Sequence, residues 1–82
     1  MKVLLIEDNL ILSRNTTKML IKDDIFTDVS IDGLDGYKKA MSKYYDIIIL
    51  DINLPSMDGF EICKKLREAG KECGIIMLTS LS

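Results

Sequence analysis

Eighty-two residues, 48% hydrophobic and 29% charged, have the composition of one small globular domain in which folding buries only somewhat more than ~60% of the unfolded surface. A net charge of −2, with no Lys/Arg cluster longer than Lys64-Lys65, argues against a phosphate-backbone footprint and so against direct nucleic-acid binding by this segment. Apolar runs of four or five residues are too short to span a membrane, and Met1-Lys2 leads straight into a short apolar run rather than a signal peptide.

Val3 to Ile6 is a continuous, branched apolar run that fits a strand covered on both faces, as in a parallel sheet. After Glu7-Asp8-Asn9, Leu12, Thr16, Met19 and Leu20 fall at helical offsets. They predict an amphipathic helix over 10–22 with Asn9 as its N-cap. Thr27, Val29 and Ile31 alternate with Asp28 and Ser30, a half-exposed strand that Asp32-Gly33 breaks. Leu34, Tyr37, Ala40, Met41 and Tyr44 return to helical spacing, with Lys38, Lys39 and Lys43 on the wet side. Ile47 to Leu50 is the third strand.

Phe60, Cys63 and Leu66 line a third helix, whose end is marked by Gly70. Ile75 to Leu78 forms a fourth strand leading into Thr79-Ser80. The Met and aromatic positions of these helices read as core. Asp58-Gly59 reads as a turn in which Asp58 shapes the loop, and Asp46 reads as a surface residue. Strand and helix alternate three times before the fourth strand, which predicts an α/β fold: right-handed crossovers and a parallel sheet with helices on its faces. Two cysteines, Cys63 and Cys73, with no histidine, exclude the usual zinc patterns and fit free thiols in a cytoplasmic protein.

The polar residues fall at strand tips. Glu7 and Asp8 follow the first run, Asp51 the third, and Thr79-Ser80 the fourth. In parallel α/β sheets ligands bind at the carboxyl ends of the strands, so neighbouring strands would bring these groups into one pocket. Clustered carboxylates repel and raise one another's pKa. A hard divalent cation relieves the repulsion, and Mg²⁺ accepts a site of one or two carboxylates, a carbonyl and retained waters.

The segments LLIEDN, DIIILDINLPSMDGFEICKKLR and IIMLTS resemble the receiver domain of bacterial two-component response regulators along the whole chain. The resemblance implies the flavodoxin-like, CheY-like order 2-1-3-4, with a fifth strand, its essential Lys and the last helices missing. Residues 1–82 would then be the N-terminal two-thirds of a receiver, a fragment of a longer regulator. It further implies that Asp51 is the phosphoacceptor, that Asp8 is a direct Mg²⁺ ligand with Glu7 acting indirectly, and that Asn53 offers its backbone carbonyl to the metal. Thr79 would be the hydroxyl that senses the phosphoryl group, and Pro55 and Gly59 would shape the loop after Asp51. The partner would be a sensor histidine kinase, and DNA would be reached only through a missing C-terminal domain.

The resemblance implies a signalling module rather than an enzyme. Haloacid-dehalogenase-type phosphatases also use a strand-tip Asp with Mg²⁺, but they need a second Asp two residues on, where this chain has Asn53. A non-phosphorylated interaction module of the same fold is the alternative. An uncovered fourth strand predicts self-association as a homodimer.

Overall fold

The computed structural model describes residues 1–78. Its elements are β1 (Lys2–Ile6), α1 (Leu10–Lys22), β2 (Phe26–Ser30), α2 (Gly33–Ser42), β3 (Ile47–Asp51), α3 (Gly59–Glu68) and β4 (Gly74–Leu78). The strands pair in parallel in the order β2-β1-β3-β4, as the resemblance implied. None of the described helices is long and apolar enough to cross a membrane.

Topology decides which face each helix covers. The β1–β2 connection steps one way across the sheet, whereas β2–β3 and β3–β4 run the other way. Right-handed crossovers therefore place α1 on one face and α2 and α3 on the opposite one. The strand residues alternate to match. Leu4, Ile6, Ile48 and Leu50 meet Ala40 of α2 and Ile62 and Leu66 of α3 in the main core, together with Tyr45 and Leu54. Each fully buried Leu or Ile there contributes roughly 1.5–3 kcal/mol. Val3 and Leu5 point the other way and are also buried.

All three helices start by the same device, an Asn or Asp side chain that accepts a backbone N–H of the first turn. Asn9 accepts from Leu12 at 3.0 Å, Asp32 from Asp35 at 3.2 Å and Asp58 from Glu61 at 2.9 Å. Such a cap is worth about 1 kcal/mol. Asp58 is thus the N-cap of α3 and not merely a turn residue. Gly70, at φ 81°, follows the end of α3 in the left-handed conformation that glycine adopts at no steric cost. Asp46 lies at the surface as expected and accepts from the Lys2 backbone N–H at 2.7 Å and from the Tyr44 hydroxyl at 2.9 Å.

The helix faces differ from the expectation. Met19 and Phe60 are 70% and 59% exposed, and Leu12, Leu34 and Met41 are exposed as well, while Tyr44, expected on the second helix, lies beyond α2 and is 71% exposed. On α1 and α2 the buried positions carry small side chains: Ser13 on α1, and on α2 Gly36 and Ala40, with Gly33 packed against the loop after β3. On α3 the buried residues are Gly59, Ile62 and Leu66. Small residues let a helix sit close to the sheet, which turns its larger neighbours outward. Ile31, expected within the second strand, lies beyond it and is exposed, because β2 ends at Ser30.

Candidate functional site

β1 and β3 are neighbours in register, with Ile6 opposite Leu50. The residues that follow at the same end of the sheet are Glu7 and Asp51, and Asp8 comes next. One carboxylate oxygen from each of Glu7, Asp8 and Asp51 lies within 4.8 Å of the others, the one such acidic group among the described residues. Glu7 and Asp51 are buried and Asp8 is exposed. The cluster therefore has a dry floor and an open side.

Backbone donors orient the two buried acids. The Asn9 N–H donates to Glu7 Oε2 at 3.1 Å, and the Asn53 N–H donates to Asp51 Oδ1 at 3.2 Å. Burial pushes the Glu7 pKa above the ordinary carboxylate range. The Asn9 N–H opposes this, and the charges of Asp51 and Asp8 reinforce it. The ion pairs among the described residues, Lys39–Asp35 and Lys43–Asp28, involve none of these acids.

Three oxygen donors of one sign, two of them desolvated, fit a hard divalent cation. Glu7, Asp8 and Asp51 would hold it. The structure brings these three together as expected. It places Asn53 in the loop after β3, bonded through its N–H to Asp51. That loop is closed by Gly59, whose N–H donates to the Ile52 carbonyl at 2.8 Å, while Pro55 is exposed within it. Thr79 lies outside the described residues. Ser56, in the same loop, drew no notice in the sequence. Its hydroxyl reaches the start of α2, a tertiary contact for which the local pattern carries no signal.

The sequence matches the family described as the response regulator receiver domain over residues 3–82. The chain belongs to the response regulator receiver family. Among curated proteins, this receiver is 45% identical over 80 residues to the transcriptional regulatory protein YclJ of Bacillus subtilis, a match covering 98% of this chain and 35% of that one. It is 42% identical over 81 residues to the response regulator ArlR of Staphylococcus aureus, covering 99% of this chain and 36% of that one. The receiver thus spans about a third of the length of these relatives. Among solved structures it resembles the response regulator protein TrrA from Thermotoga maritima in complex with Mg(2+)-BeF. The TM-score is 0.91 at 30% identity, covering 99% of this chain and 70% of that one.

Proposed function

We propose that this receiver takes up a phosphoryl group on Asp51 from a phosphohistidine of a sensor histidine kinase. The observation that carries this reading is the convergence of Glu7, Asp8 and Asp51 within 4.8 Å at adjacent strand tips. One Asp51 oxygen attacks phosphorus as the phosphorus–nitrogen bond breaks. The electron pair of that bond leaves with the imidazole, and an acyl phosphate remains on Asp51. The Asn53 N–H, already on Asp51 Oδ1, holds the carboxylate in place for the attack.

Asp8 and Asp51, with the Asn53 backbone carbonyl and Glu7 behind them, are the residues that would hold Mg²⁺. When bound, it supplies positive charge that offsets both the clustered acids and the transferring group. The Thermotoga relative held with Mg(2+)-BeF supports the choice of metal. Thr79 is the hydroxyl that reads the phosphoryl group in this proposal. Residues 1–82 serve as the N-terminal two-thirds of a receiver within a longer cytoplasmic regulator.

Two curated relatives are named as a transcriptional regulatory protein and a response regulator, which supports an output on transcription reached through another segment of such a regulator. The exposed β4 residues Ile76, Met77 and Leu78 support self-association through that strand.

Incubation of the longer regulator with acetyl phosphate and Mg²⁺, followed by peptide mapping, tests the central claim. One phosphoryl group on Asp51, lost in Asp51→Asn and without Mg²⁺, is the expected result. Uptake that survives in Asp51→Asn overturns the assignment.

A further inference from the structure

The first turn of α2 is docked on the loop that leads from Asp51 to α3, and Ser56 is the joint. A helix begins with N–H groups that have no partner within it. Here the first three are all satisfied. The Gly33 N–H donates to the Pro55 carbonyl at 3.1 Å, the Leu34 N–H to Ser56 Oγ at 3.0 Å, and the Asp35 N–H to Asp32 Oδ2 at 3.2 Å. The Ser56 hydroxyl in turn donates to Asp32 Oδ1. Loop and helix approach so closely that a Cβ at Gly33 would overlap the Met57 carbonyl.

Ser56 adopts φ 66°, and across it the Met57 N–H donates to the Pro55 carbonyl at 2.8 Å. A three-residue turn with a positive φ at a non-glycine centre is strained and persists only when its surroundings hold it. The surroundings here are Asp32 and Leu34. The same loop is tied to the acid cluster at its other end, where the Asn53 N–H meets Asp51. Between these ties Leu54 is buried in the core, so a shift at Ser56 has a short and stiff route to Asn53.

We propose that Ser56 is a positioning residue for the acid cluster: through Asp32 and the start of α2 it holds the loop so that Asn53 meets Asp51 and faces the cation. The inference rests on the proposed Mg²⁺ site. Preorganisation of this kind acts on affinity, because a loop already in place loses less freedom when the ion binds.

Calorimetric titration of the 82-residue chain with MgCl₂, paired with thermal melts, provides the test on wild type, Ser56→Gly and Ser56→Asn. Glycine removes the hydroxyl but also the strain at positive φ, so the two effects on stability oppose each other. The expected result is a melting temperature within a few degrees of wild type and Mg²⁺ affinity about tenfold weaker, the low end for groups that orient metal-holding residues. Asparagine tolerates positive φ, and its amide offers both an acceptor for Leu34 and a donor for Asp32. Ser56→Asn should therefore return affinity to near the wild-type value.

Unchanged affinity in Ser56→Gly overturns the proposal, as does an Asn variant no tighter than the Gly variant. Failure of the Gly variant to fold also overturns it, since Ser56 would then act on stability rather than on the cluster. A wild-type chain that binds no Mg²⁺ overturns the metal-site reading itself, and this inference with it.

Discussion

The two faces of the sheet are built from equally apolar strands but are sealed to different degrees. Under α2 and α3, Leu4, Leu50, Ile62 and Leu66 are each 0% exposed. On the α1 side Val3 and Leu5 are buried, yet along the row that passes through Leu5, Ile49 is half-buried and Ile76 is 48% exposed. Strand composition does not explain this, since Ile49 and Ile48 are chemically identical neighbours. Crossover direction does: two connections run the same way and lay two helices on one face, while one connection lays a single helix on the other. Burial here is a property of topology before it is a property of residue type.

The sharpest way to break the comparison is to truncate one large side chain on each side. Leu66→Ala, in the sealed core, should cost about 2–5 kcal/mol. Met19→Ala, on the outer surface of α1, should stay within about 0.5 kcal/mol. Urea midpoints measured at constant slope separate the two. Comparable losses would show that α1 buries more than its exposure indicates.

A smaller effect is expected at Tyr45, which lies in the sealed core and donates its hydroxyl to Asp28 at 2.6 Å. Tyr45→Phe should cost about 1–2 kcal/mol at neutral pH. Burial, and then the Asp28 carboxylate, raise the Tyr45 pKa, so the fold favours the neutral phenol. That contribution is fully present below the unfolded value of about 10 and is lost as pH rises through the folded value. Thermal melts at increasing alkalinity should show wild type losing its advantage over Tyr45→Phe. A gap independent of pH would place the raised pKa in doubt.

The mildest change is expected at Glu7, which by strand alternation continues the Val3–Leu5 row. Its pKa is raised chiefly by burial, so its favourable contribution belongs to the protonated form, present in acid and lost as pH rises through the folded value. At neutral pH the ionised side chain is a burden. Glu7→Gln should raise the melting temperature in Mg²⁺-free buffer by a few degrees and weaken Mg²⁺ binding. A lower melting temperature would mean that the Asn9 N–H outweighs burial.

The strands were legible in the sequence because a run such as Ile47 to Leu50 is too short for a helix and too apolar for a loop. The acid cluster was legible for a related reason. In a parallel sheet Glu7 and Asp51 must leave their strands at the same end, whatever their separation in the chain. Helix faces were not. The offsets of Leu12 and Met19 satisfy helical periodicity equally well on an outer face, and a pattern of large apolar residues gave no weight to Ser13 or Gly36. Tyr45 escaped for a local reason: it belongs to neither the α2 period nor the β3 run, and its hydroxyl finds its partner in Asp28 of β2. The Ser56 clasp depends wholly on Asp32 and Leu34, which are distant in sequence, so no local pattern signals it.

The position of β1 sets the order in which the molecule can be completed as it is made. Lys2–Ile6 leave the ribosome before the other elements, yet they occupy an interior place in the sheet, between β2 and β3. β2 can pair with β1 early, but the other edge of β1 has no partner until residues 47–51 have been made. Leu4 and Ile6 are not fully covered until α3 has formed at residues 59–68. At roughly 5–20 residues per second, that interval is several seconds during which the most deeply buried strand has one open edge and one bare face. Pairings of such long sequence separation form slowly. β1 is therefore made before the strands that flank it yet waits for them to be enclosed, and its exposure to other nascent chains ends only when α3 closes the core.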